Sequence, residues 1–279
     1  MLFRSEPLFV VDPYGPRKSD VFRWLWRDFA KTVKHEQRFF FERPIDRRND
    51  ETVSPVSLLS AVARSSEEYG LIKSFPASQR LFRCRDRRNK AERFVNPSEM
   101  GPPPNEKASQ SRMSPAGIPM FYGAEDVDTA IIETVDPGKY YATGTFHTLR
   151  PLTVLDLTTV PRVSIFADEQ IRDLFHWASF MTSFIADFRK PVDRDGNGKH
   201  FEYVPTQIVT EFFRSPPDAE LPSVDAVRYR SARTDGVCWV IFAKDSDVSK
   251  TIAGRRNSAH SGKLLALSGI EHSPKRLNS

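Results

Sequence analysis

Short runs rich in β-branched and aromatic residues stand at both ends of the stretch from Leu81 to Lys244, and helix-like runs fall between them. PMFYGA, Tyr140–Phe146, Thr153–Leu157, Ala226–Tyr229 and Val237–Phe242 read as strands. Asp126 to Thr134 reads as a short helix capped by Asp126 or Asp128, and Ile165 to Phe188 as a long one. Tyr203 to Phe213 reads as a third helix, opened by Pro205 in its first turn. Strands grouped at the two ends with helices inserted predict an α+β fold with a partly antiparallel sheet.

The preceding residues differ in texture. Phe22, Leu25, Trp26, Phe29 and Val33 recur at three- and four-residue steps, which predicts a helix capped by Asp20. Ser57 to Tyr69 predicts a second helix, ended by Gly70. The organisation expected is therefore a helical region over 1–75, a main domain over 76–248, and a tail over 249–279. That tail carries six basic residues against one acid, so it accounts for the whole formal charge of +5 and leaves the rest neutral. A basic tail of this kind is expected to be solvated and flexible, touching nucleic acid only weakly if at all.

No run of about eighteen apolar residues predicts a membrane span, and the N-terminus lacks a small-residue cleavage site. Cys84 and Cys238 lie far apart without a CxxC pair, so no zinc site or disulfide framework is expected, and a reducing cytoplasm suits the chain. DRDGNG at 193–198 has the acidic spacing of a calcium loop, but the twelfth position is Val204 rather than Glu, leaving a plain turn. HFEY at 200–203 lacks the HExxH spacing, so no metal is expected. GxGxxG, GxxxxGK[ST] and GxSxG are all missing.

Three segments remain. In SRMSPAGIPMFYGAEDVDTAIIETV, Arg112 precedes a small-residue turn, a strand delivers Tyr122, and a helix places Glu133 beside Ile131 and Ile132. A carboxylate among apolar neighbours calls for a partner, with Arg112 and Arg83 as candidates. On residue types alone, an ordinary buried ion pair accounts for it. YVPTQIVTE sets Tyr203, Thr206 and Gln207 at a helix start, where free N–H groups suit anions. VRYRSARTDG leaves Ser231 at a strand end, a common place for a turn residue.

Together and in this order the segments resemble the RES domain family, named for an Arg, a Glu and a Ser. LFR ends at Arg83, SRMS holds Arg112, GIPMFY ends at Tyr122, TAIIE ends at Glu133 and YRS ends at Ser231. YVPTQ resembles a motif of larger RES proteins, and the match spans about 81–244. SRMS stands where shorter members often carry a GRW-type turn. Arg85, two residues from Arg83 on the same side of a strand, competes for the first arginine's role. The helices ahead resemble an extension often described as HEPN-like, without an Arg-x₄₋₆-His nuclease motif.

The resemblance implies an ADP-ribosyltransferase-like fold and action on NAD⁺ as substrate, without a metal. Relatives are toxins of toxin–antitoxin pairs, neutralised by an Xre-like antitoxin, with a place in bacterial defence. Most degrade NAD⁺, and some are linked to ADP-ribosylation of a protein. By the same implication Glu133 stabilises an oxocarbenium-like charge. Arg83 and Arg112 take the diphosphate. Tyr122 packs on nicotinamide or ribose, Ser231 hydrogen-bonds the substrate, and Tyr203 and Gln207 line the pocket. Three functions stand open: an NAD⁺ glycohydrolase, a protein ADP-ribosyltransferase, and a non-catalytic binding module. The partners implied are NAD⁺, an Xre-like antitoxin, and further copies of the chain in a homo-oligomer.

Overall fold

A computed structural model describes residues 18–39, 54–159, 169–189, 199–249 and 262–277. The first helix, α1 (Lys18–His35), carries Leu25, Trp26, Phe29 and Val33 on one buried stripe. It begins two residues before Asp20, which therefore sits in its first turn instead of capping it. α2 (Pro55–Glu68) is capped by Ser54, whose hydroxyl accepts from the Ser57 N–H at 3.1 Å, with a proline in its first turn.

Nine strands follow among the described residues, with helices between them. The order is β1 (Ile72–Phe75), β2 (Arg80–Arg87), α3 (Pro97–Met100), β3 (Phe121–Ala124), α4 (Val127–Thr134), β4 (Tyr140–Thr148) and β5 (Leu152–Asp156). Then come α5 (Glu169–Arg189), α6 (Val204–Arg214), β6 (Ala226–Arg230), β7 (Val237–Ile241), β8 (Val248–Ser249) and β9 (Leu265–His272). They form one mixed sheet in the order β1-β5-β6-β7-β3-β2-β4-β9-β8. β5–β6 and β8–β9 are parallel, and the other pairs antiparallel. The α+β class expected from the alternation of runs is the class observed.

The tail is a correction. Residues 265–272, assigned to a flexible basic tail, form β9 and pair with all but the first two residues of β4. Leu265, Ala266 and Leu267 are fully buried there. Burying them and completing a ladder outweighs the basic charges nearby, which lie outside the strand. Residues 250–261, the DRDGNG turn and the run from Phe40 to Val53 lie outside the described residues.

The sheet divides two cores. On one face Phe121, Phe146, Trp239, Ile241 and Leu267 pack with Met100 of α3. On the other, Cys84, Leu155, Val227 and Val240 join residues from α1, α2, α5 and α6 in a single cluster. Trp26 is the hinge of this helical layer. Its ring meets Phe184 edge-on at 5.0 Å, and its Nε1 donates to Asp187 at 2.6 Å. The expected helical region is thus present, and its core continues into that of the sheet. No described helix is long and apolar enough to cross a membrane.

A shared core makes the two parts unfold together. Trp26→Ala should cost about 3–5 kcal/mol and keep a single denaturant transition, followed by circular dichroism. Two separated transitions would mean that the sheet holds its own without α1.

Candidate active site

The sheet opens between two of its central strands. β2 pairs with β4 along its full length, but with β3 only at Phe82↔Ala124. A cavity of about 490 Å³ occupies the parting, in the size range of small-molecule sites. Arg83 and Cys84 line it from β2, Tyr122 and Gly123 from β3, Arg112 from the preceding turn, and Glu133 from α4. Gly123 is required there. A Cβ would come within 2.8 Å of the Phe121 ring and 3.1 Å of the Phe82 carbonyl oxygen.

Glu133 stands in the last turn of α4, which Asp126 caps by accepting from the Thr129 N–H at 2.7 Å. Ser231 follows β6 and is fully buried. Its Oγ donates to Glu133 Oε1, and accepts the backbone N–H groups of Arg233 at 2.9 Å and Thr234 at 3.1 Å. A hydroxyl has one proton to give and two lone pairs to receive. All three are taken, so the proton points at the carboxylate and Ser231 has nothing left for a substrate. The direct substrate contact implied by the family resemblance is corrected on this point: Ser231 holds Glu133.

Two cations line the same cavity. Arg83 Nη1 donates to the Tyr122 carbonyl at 2.9 Å, and the guanidinium lies 5.4 Å from the Phe121 ring centroid. Burial, then the neighbouring Arg85, lowers its pKa to about 10, so it stays charged at neutral pH. Arg112 is 6% exposed, donates from Nη1 to the Phe188 carbonyl at 2.6 Å, and lies 5.8 Å from the Tyr229 ring centroid. The Nε of each arginine is buried with no partner among the described residues. Neither forms an ion pair among them. A buried Arg112 and a half-buried Arg83, neither paired with an acid among the described residues, suit a site that receives an anion.

Arg85 is placed elsewhere. Its guanidinium donates to the Glu99 carbonyl and does not line the cavity, tying β2 to α3. Tyr122 is in the cavity wall, with its hydroxyl 3.0 Å from Ser114 Oγ, and burial raises its pKa.

Tyr203 and Gln207 do not line the cavity, which corrects the expectation for both. Gln207 Nε2 donates to the carbonyls of Ser111 at 2.8 Å and Ser114 at 3.3 Å. Thr206 Oγ1 donates to the carbonyl of Arg112 at 2.6 Å, with that of Tyr203 a second acceptor sharing the same proton at 2.9 Å. A buried amide must find partners, and this one finds them in the turn that carries Arg112. The start of α6 therefore braces the site from behind.

Tyr229 and Cys238 line the cavity and were missed by sequence reasoning. Tyr229 stands two residues before Ser231, so the period of an extended chain could have pointed to it. Burial, then Cys238, pushes the Tyr229 phenol well above its usual range. Burial pushes Cys238 up to about 12, aided by Glu133, and Cys84 up to about 11 against its hydrogen bond to Thr143. Both thiols stay protonated at pH 8. Iodoacetamide should therefore label neither in the folded protein and both in denaturant, as read by mass spectrometry.

Among the described residues no group of three His, Cys, Asp or Glu could hold a metal ion. Neither curated proteins nor solved structures give a match. The family model described as RES domain matches residues 80–259, which contain every wall of the cavity. The chain belongs to the RES domain family.

Proposed function

We propose that this RES domain is an NAD⁺ glycohydrolase that splits the nicotinamide–ribose bond and releases ADP-ribose. The family is associated with NAD-related activity in general. The choice of reaction rests on one observation: a carboxylate, Glu133, oriented by a saturated hydroxyl at the wall of a cavity that the buried Arg112 and the half-buried Arg83 also line.

Breaking an N-glycosidic bond develops positive charge on the ribose ring, as in glycoside hydrolysis. A preoriented carboxylate stabilises that charge without having to reorganise. Nicotinamide leaves with the bonding electrons as a neutral molecule. Water adds to the anomeric carbon and gives up a proton. Arg83 and Arg112 hold the diphosphate, and their unused Nε groups supply donors for it. Tyr122 packs against nicotinamide or ribose. In a cell the consequence is NAD⁺ depletion, which fits a cytoplasmic toxin held in check by an Xre-like antitoxin.

Purified protein incubated with NAD⁺ alone should release nicotinamide. Glu133→Gln should slow this by about 100-fold or more. Arg112→Lys should mainly raise KM, because an ammonium cannot make the two-point phosphate contact. Expression of the wild-type chain should arrest growth and lower cellular NAD⁺, and the Glu133→Gln chain should do neither. Intact NAD⁺ after long incubation at high protein concentration refutes hydrolysis. Labelled ADP-ribose on a protein from a lysate would instead show a transferase.

A further inference from the structure

We infer that Thr234 is a positioning residue, which fixes the reactive carboxylate by fastening the turn after β6 to α4. The inference rests on the glycohydrolase reading above. The turn runs from Ser231 to Gly236, SARTDG. At its start Ser231 grips Glu133. Farther on, Thr234 Oγ1 lies 2.9 Å from Thr129 Oγ1 and accepts the Gly236 N–H at 3.2 Å. Thr129 is 2% exposed and stands four residues before Glu133, so the two share one stripe of α4. The turn is thus attached to that stripe at two points, one turn of helix apart.

Two further features show how closely it is seated. A Cβ on Gly236 would lie 2.0 Å from Thr129 Oγ1 and 2.9 Å from Asp126 Oδ2, so any larger residue forces the turn off α4. Asp235 turns the chain there at φ +61°, a left-handed conformation that Asp adopts more readily than most residues other than glycine. Neither Thr129 nor Thr234 lines the cavity, so neither touches a ligand there. Without the Thr234 hydroxyl, the turn pivots about Ser231, and the Ser231–Glu133 hydrogen bond loses its alignment.

Steady-state NAD⁺ hydrolysis by Thr234→Val, Thr234→Ser, Thr129→Val and the double Val variant tests this. Thr234→Val should lower kcat about tenfold or more with KM within about twofold, since misplacing a reacting group acts on the chemical step. Thr234→Ser, which keeps the hydroxyl, should restore kcat. Thr129→Val should also lower kcat, and the double variant should be no worse than Thr234→Val alone, because both singles remove the Thr129–Thr234 contact. A wild-type kcat in Thr234→Val, or a loss that Thr234→Ser does not restore, overturns the inference. If the wild-type protein leaves NAD⁺ intact, the glycohydrolase reading fails by itself. Amide hydrogen exchange over residues 231–236 then decides: faster exchange in Thr234→Val supports the fastening, and unchanged exchange refutes it.

Discussion

Where β3 parts from β2, a backbone carbonyl loses the neighbour that a continuous ladder would have supplied. At Tyr122 a side chain makes good the loss, since Arg83 donates to that carbonyl across the parting. A buried carbonyl left unpaired costs about 1–3 kcal/mol, so the arginine has a structural reason to be there. A guanidinium has five N–H donors, and satisfying one carbonyl leaves others to face the cavity. The same side chain therefore closes the gap in the sheet and lends the gap its charge. Arg85 does not do this from two residues along β2, because its guanidinium is committed to the Glu99 carbonyl.

The carboxylate is held by a different logic. Glu133 lies on a helix of only eight residues, too short to be stable alone, so its direction has to come from tertiary contacts. Ser231 supplies one, and gains its own rigidity from two backbone amides of the turn that follows it. Each group in this chain of hydrogen bonds is fixed by the next. That is what lets a half-buried carboxylate keep one orientation while its surroundings exchange water for ligand.

Much of this was legible in the sequence, and what was legible was local. Strand and helix runs read by period fell where the structure has them, because alternation and 3.6-residue spacing report burial directly. Arg83, Arg112, Tyr122 and Glu133 could be named because short motifs carry them, and the structure brings all four to one cavity. β9 was not legible: a strand inside a basic segment pays off only when β4 is beside it, and that pairing spans more than a hundred residues. Nor were the places of Tyr203 and Gln207. Position at a helix start says that groups are available, but only the fold tells which partner reaches them first. The choice between Arg83 and Arg85 was undecidable from a period of two, since both lie on one side of β2. It turns on where β3 departs.

The site also divides mechanically. Its anionic half, Glu133 with Ser231, is built from α4 and the turn between β6 and β7, elements that lie directly on the sheet. Its cationic half at Arg112 belongs to the helical layer. The Arg112 guanidinium is anchored on the last turn of α5 through Phe188, and its backbone on the start of α6 through Thr206. Both helices are in turn packed by α1, with Trp26 bonded to Asp187 of α5. α5 reaches the anionic half through Arg189, whose contacts with the Ser231 carbonyl and Asp235 are both at 3.5 Å, the long end for such interactions. A shift of α5 and α6 against the sheet therefore moves Arg112, the residue proposed to bind phosphate, more than it moves Glu133, the proposed reactive carboxylate. Under the proposed function, Arg112 with its helical supports serves substrate affinity and Glu133 with Ser231 serves the chemical step, and α1 bears chiefly on the first through α5 and α6.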